Sequence, residues 1–167
     1  MAATSKQVIS SGCVRSVTSH LPGGSKILRA PTLVCAAVYC MTLIYLMFTG
    51  DMRIIRAVLV PAACFLAATA LRPAIGKQRP YDRFDTPPVG SYRAGKGKSM
   101  PSRHTASAAA IACAVIYVFP TVPVILAMVL LCLLIAALRV LAGQHDVSDV
   151  LAALALSMVL SLIGYLL

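Results

Sequence analysis

Five apolar runs, at about residues 31–49, 54–71, 105–119, 122–142 and 148–167, dominate this chain and decide which solvent it can fold in. A helix needs roughly 20 apolar residues to cross about 30 Å of hydrocarbon, and each run approaches or reaches that length. Inside a bilayer every backbone N–H and C=O must be satisfied by the chain itself, so runs this long cross as helices. The expected fold is all-α: an integral membrane helical bundle of about five transmembrane helices. Composition agrees, since 59% of the 167 residues are hydrophobic and only 12% are charged, too apolar a balance for a water-soluble domain of this size.

Two polar stretches interrupt the pattern. Residues 1–29 are basic, with Lys6, Arg15, Lys26 and Arg29, and lack the roughly 7–15-residue apolar core of a secretory signal. No cleaved leader is expected, and the stretch reads as an interfacial or flexible segment preceding a membrane-embedded domain over residues 30–167. The second stretch, residues 72–104, holds eight basic and two acidic residues, with Pro87-Pro88, Gly90, Gly95 and Gly97 breaking regular structure. Counting crossings puts the amino terminus, this loop and residues 139–149 on one membrane face. Residues 50–53 and 120–123 and the carboxyl end fall on the other. Pro61 is expected to kink the second helix, which packing in a bundle tolerates.

The formal charge is +10, from fifteen basic and five acidic residues. In a soluble chain that would suggest nucleic acid, but beside apolar helices the cations serve anionic headgroups and phosphate instead. Neither nucleic acid nor nucleotide is an expected partner. Gly90-(four residues)-Gly95-Lys96 begins like a phosphate-binding P-loop, yet Gly97 stands where Ser or Thr should hold magnesium and no strand precedes it. The cysteines have no metal spacing, and all but Cys13 lie in apolar segments, where they read as small core residues. No metal and no cofactor is expected. Arg53 and Arg56 read as helix-end arginines snorkelling to headgroups. His20 has no visible partner, and Arg93, Lys96 and Lys98 read as a basic rim.

Three short blocks carry chemistry: Arg72-(six residues)-Arg79-Pro80, Pro101-Ser102-Arg103-His104 and Arg139-(five residues)-His145-(three residues)-Asp149. A phosphate ester undergoing transfer spreads charge over its equatorial oxygens, so a catalyst without metal needs several fixed donors. Arginine supplies a permanent forked one. Arg72 and Arg79 are seven residues apart and share one face if the second helix extends through them, although Pro73 opposes this and Pro80 should end it. Arg139 would close the cradle from the fourth helix. Ser102 reads as a cap of the third helix, where the Arg103 N–H meets the positive end of the helix dipole and His104 could protonate a departing alkoxide. His145 and Asp149, four apart, are expected to face the same way on a helix, so that the carboxylate takes one ring N–H and leaves the other nitrogen to attack phosphorus. Gly143 lets the backbone turn between Arg139 and His145. Asp146 reads as an exposed first-turn charge on another face.

The order and spacing of these blocks resemble the type-2 phosphatidic acid phosphatase family, whose signatures read Lys-x6-Arg-Pro, Pro-Ser-Gly-His and Ser-Arg-x5-His-x3-Asp. The likeness runs from about Arg72 to Asp149, with Arg72 in place of Lys, Arg103 in place of Gly and Leu138 in place of Ser. The resemblance implies that His145 forms a phosphohistidine, Asp149 orients it and His104 is the general acid. It also implies that Arg72, Arg79, Ser102, Arg103 and Arg139 bind the substrate phosphate. Family members commonly have six spanning helices, and the one without a counterpart here would be the family's first.

As a function, the resemblance implies a metal-independent membrane phosphatase acting on a lipid phosphomonoester or diphosphate, either an isoprenyl diphosphate or a glycerophospholipid phosphate. The alternative is a noncatalytic membrane protein that keeps the anion pocket to bind lipid. Haloperoxidase chemistry, known among soluble relatives, fits poorly with five apolar spans. The chain looks bacterial and suits the cytoplasmic membrane. The positive-inside rule would send the basic loop to the cytoplasm, whereas the resemblance implies a site on the outer face.

Overall fold

The computed structural model describes residues 24–83 and 98–166. Most of the amino-terminal segment with His20, and the stretch holding Arg93, Lys96 and the P-loop-like glycines, lie outside the described residues. The elements are α1 (Gly24–Thr49), α2 (Arg53–Ile75), the short α3 (Pro80–Arg83), α4 (Arg103–Val118), α5 (Val122–Leu141) and α6 (Val147–Leu166). The chain is an all-helical membrane bundle. Four helices, α1, α2, α5 and α6, are long and apolar enough to cross a bilayer, and α4 is a shorter apolar helix of 16 residues. At about 1.5 Å per residue α4 is about 24 Å long.

α4 is the hub, packed against α1, α2, α5 and α6. Its sequence explains this. Ala106, Ala108, Ala109, Ala110, Ala112 and Ala114 are all buried, and with so little side chain around it the helix admits close neighbours on several sides. Cys35, Met128, Cys132 and Ile135 fill the side towards α1 and α5. Val60 and Cys64 of α2 meet Ala110, and Ala68 and Ala153 meet Ala106. The polar groups that face inward settle on backbone carbonyls: Ser157 Oγ donates to Ala106 O at 3.0 Å and Thr42 Oγ1 to Val38 O at 2.9 Å.

The outer surface is the reverse of a soluble protein's. Large apolar side chains point outwards along every long helix, with Phe48 89% exposed, Met41 70% and Leu130 65%. So extensive an apolar surface has a stable partner in lipid tails rather than water. Cys40 belongs to this surface, and is exposed rather than core. α1 starts at Gly24, earlier than the expected boundary at residue 30, and carries Pro31 inside it. α2 likewise runs on through Pro61 and Pro73. Neighbouring helices hold both segments helical where proline alone would break them.

The chain reverses at one end of the bundle through Asp51, whose Oδ1 accepts the Arg53 N–H at 2.9 Å. The Arg53 side chain pairs with Asp51 and reaches Val118 O at 3.2 Å. Arg56 donates to Tyr165 O at 3.3 Å. Both arginines, expected to snorkel, instead tie helix ends together. The ion pair itself is screened by solvent and adds little stability.

α6 approaches α2 closely at Gly164, where an added Cβ would come within 2.5 Å of Val60 Cγ2. Valine is stiff at χ1 and has little room to yield. Gly164→Ala is expected to lower stability by about 1–3 kcal/mol, read as a fall in thermal unfolding temperature in detergent. Adding Val60→Ala should restore most of the loss, and a double variant no better than the single one would place the strain elsewhere.

Candidate active site

Residues from four segments meet at the end of the bundle opposite Asp51. α2 ends at Gly76, a left-handed residue (φ 62°) whose N–H caps Arg72 O. Arg72 therefore sits in the last helical turn, while Arg79 lies beyond it, just before α3, and the two do not share a helix face. Arg72 is buried, and its guanidinium donates to Pro101 O at 3.0 Å and to Ser99 O at 3.2 Å. It thereby fixes the turn that leads into α4, a task for which a forked donor suits better than an ammonium.

That turn presents the second block. The Met100–Pro101 bond is cis. Ser102 occupies the N-cap position of α4, but its side chain makes no capping bond, contrary to the sequence expectation. Its hydroxyl is fully buried and accepts from Thr105 Oγ1 at 3.1 Å, while its N–H donates to Asp149 O at 3.1 Å. With no capping oxygen over the first turn, the helix-start N–H groups beginning at Arg103 are left for an anion. His104 is exposed in that turn. Desolvation first, and then the charges of Arg139, His145, Arg103 and Arg72, push its pKa down to about 4.

The third block is built by a turn. Gly143 (φ 68°) adopts the left-handed conformation after α5, and the His145 N–H donates to Arg139 O at 3.3 Å. Arg139 is buried near the end of α5, with Nη1 donating to Gln144 Oε1 at 2.8 Å and Nη2 reaching Thr32 Oγ1 of α1 at 3.4 Å. His145 precedes α6 rather than lying on it, so the expected helical pairing with Asp149 is not how the two meet. Asp149 is in the first turn of α6, and its Oδ2 also accepts the Asp146 N–H at 3.2 Å, as in a capping box. His145 Nδ1 lies 3.4 Å from the same Oδ2.

Asp149 has no exposure at all, so both its oxygens must be met by donors. Two of its partners escaped the sequence reading. Ser99, itself fully buried, donates its hydroxyl to Asp149 Oδ2 and stands 3.3 Å from His145 Nδ1. Lys77 places Nζ 2.6 Å from Asp149 Oδ1, 2.9 Å from Asp146 Oδ2 and 2.7 Å from Ser148 Oγ. Asp146, expected to be an exposed charge, is thus half-buried and paired. Burial works against the Lys77 charge, but hydrogen bonds to Asp149 and Asp146 prevail and hold its pKa above the ordinary lysine value. The only sequence signal for either residue was a lysine inside the gap of the first block and a serine three positions before Ser102.

These contacts assign the histidine tautomer. An ionised carboxylate can only accept, so Nδ1 carries the ring proton towards Asp149 and Ser99, and Nε2 keeps its lone pair. Burial disfavours the His145 imidazolium. The Asp149 bond opposes that, Arg79 and Arg72 reinforce it, and the net effect is a pKa below the ordinary histidine value. A neutral imidazole with a free nitrogen, in the field of Arg79 and Arg72, is an arrangement that can attack an electrophilic phosphorus.

Comparison with known proteins identifies the family and the fold. Residues 53–167 match the PAP2 superfamily, and the chain belongs to it. No curated protein matches the sequence. Among solved structures, the chain is similar to the first transmembrane PAP2 type phosphatidylglycerolphosphate phosphatase from Bacillus subtilis. The TM-score is 0.72 at 21% identity, over 98% of this chain and 84% of that one. At that identity the likeness speaks for the fold. The protein is a membrane-helical member of the PAP2 superfamily.

Arg72→Ala would leave the buried Pro101 and Ser99 carbonyls without their donor. The expected cost is about 2–3 kcal/mol of stability, measured as a lowered unfolding temperature of the purified protein in detergent. An unchanged temperature would show that the turn into α4 holds without Arg72.

Proposed function

We propose that this protein hydrolyses a lipid phosphomonoester or diphosphate without a metal, through a phosphohistidine on His145. The observation that carries the reading is the held imidazole: Nδ1 lies 3.4 Å from the fully buried Asp149 carboxylate, which leaves Nε2 as the nucleophile. Arg79, Arg103 and Arg139, with the N–H groups at the start of α4, receive the phosphate oxygens. Arg72 adds its charge from beneath, and Ser102 adds the hydroxyl proton that its bond from Thr105 leaves in place.

In the first step the Nε2 lone pair forms the N–P bond as the P–O bond to the leaving group breaks; His104, whose lowered pKa the negative charge of the bound phosphate raises again, gives its proton to the departing oxygen. In the second, neutral His104 takes a proton from water, whose oxygen attacks phosphorus. The N–P bond breaks and inorganic phosphate leaves. Asp149 holds the ring throughout and stabilises the positive charge that develops on it.

A site at helix ends suits a substrate whose tail stays in the bilayer while its headgroup lies at the interface. A glycerophospholipid phosphate and an isoprenyl diphosphate both have that form. The structural neighbour is described as a phosphatidylglycerolphosphate phosphatase, which supports the first of these. We assign the protein to a bacterial cytoplasmic membrane with the site on its outer face, as the family resemblance implies.

Purified protein given phosphatidate, phosphatidylglycerophosphate or undecaprenyl diphosphate should release inorganic phosphate from at least one, with or without EDTA. His145→Ala should abolish release while the protein stays folded. Turnover by that variant, or loss of activity in EDTA, would defeat the mechanism. Because the His145 pKa is lowered from 6.5, the imidazole stays neutral as pH falls through that value. The acid limb of kcat/KM, which reports the free enzyme, is expected below pH 6.5. A limb at or above that value would contradict the neutral nucleophile.

A further inference from the structure

We infer that Lys77, which lies outside the three signature blocks' matched positions, is a positioning residue for the proposed nucleophile: it holds one oxygen of Asp149 so that the other is presented to His145. The inference rests on the phosphohistidine reading and adds to it the group that sets the Asp149 carboxylate.

The two oxygens of Asp149 are divided between two sets of partners. Oδ1 takes the Lys77 ammonium at 2.6 Å. Oδ2 takes the Ser99 hydroxyl, the Asp146 N–H at 3.2 Å and His145 Nδ1 at 3.4 Å. A carboxylate with Oδ1 unmet could rotate about its terminal torsion, which has a broad profile, and turn either oxygen to the histidine. The ammonium removes that freedom. Lys77 is itself fixed from both ends: its side chain is shared with Asp146 at 2.9 Å and Ser148 at 2.7 Å, and its carbonyl accepts the Ser99 N–H at 2.8 Å. Lys77, Ser99 and Asp149 therefore form a closed triangle, with two sides made of side chains and one of backbone. Movement of any corner moves the oxygen that faces the imidazole.

The pairing also tempers the carboxylate. An aspartate facing a neutral histidine alone would favour the imidazolium, the form without a nucleophilic lone pair. Sharing its charge with an ammonium weakens that pull. Among the described residues, the charged and titratable groups on the elements that meet at His145 are Arg72, Lys77 and Arg79 from α2 and the segment after it, Arg103 and His104 from α4, Arg139 from α5, and Asp146 and Asp149 at the start of α6. Of these, Lys77 bonds to both aspartates.

The test compares wild type, Lys77→Met, Lys77→Arg and His145→Ala as full-length protein in detergent, with phosphatidate, phosphatidylglycerophosphate and undecaprenyl diphosphate as probes. Phosphate release is followed against pH, and folding is checked by thermal unfolding. Lys77→Met should lower kcat/KM roughly 10- to 100-fold and move its acid limb upwards by about half a pH unit or more. Lys77→Arg should return the limb to its wild-type position. If the Met variant does not purify folded, Lys77→Gln, which keeps a hydrogen-bond donor and loses the charge, takes its place with the same expected shift. Wild-type rates and an unmoved limb in the neutral variant would overturn the role of Lys77, as would a loss of rate with the limb unmoved, which marks a structural part only. A wild type inactive on all three probes, or an active His145→Ala, would overturn the underlying reading instead, and so is told apart from failure of the Lys77 inference.

Discussion

Asp149 is a carboxylate without exposure to water, on the first turn of a helix that enters a membrane bundle. A buried charge of this kind is tolerable only when both oxygens are met by donors, and removing one partner costs several times what the pair returns. The rest of the site follows from that requirement. Lys77 comes from the segment after α2, Ser99 from the turn before α4 and His145 from the turn after α5. One buried anion thus collects three chain segments far apart in sequence and sets them at a common depth.

The bundle makes such an arrangement possible by a different means. α4 presents alanine where a soluble helix would present leucine, which brings its neighbours close and lets their ends converge on its amino terminus. Apolar side chains are spent on the lipid-facing surface, and inward serines bond to carbonyls. The membrane drives insertion of the helices. Small residues and polar contacts then decide how they pack, since lipid tails are as apolar as leucine and offer no hydrophobic reason for one helix to prefer another. The close approach of Gly164 to Val60 is a further instance of that rule.

Much of the site was legible because its chemistry is carried by spacing. The helices followed from run length, the turn at Gly143 from a glycine between an arginine and a histidine, and the membrane face shared by the three blocks from counting crossings. Where the reading departed from the structure, it had extended a helical period past a helix end. Arg79 falls beyond the Gly76 cap and His145 falls before α6, so neither obeys the spacing of a continuous helix. Ser102 has the residue type of a cap, yet its hydroxyl is engaged by Thr105 instead. Lys77 and Ser99 lie in irregular backbone, where periodicity says nothing about direction.

The sequence by itself determined the solvent, the number of apolar helices and the family of chemistry, because hydrophobic run length and the spacing of reactive residue types are local properties. Only the tertiary structure decided which donor meets which oxygen of Asp149, that Arg72 serves the carbonyls of Ser99 and Pro101, and that the free nitrogen of His145 is Nε2. Those outcomes depend on contacts between residues as much as 72 positions apart. Burial and hydrogen-bond geometry at helix ends settle such contacts, and no local pattern in the chain records them.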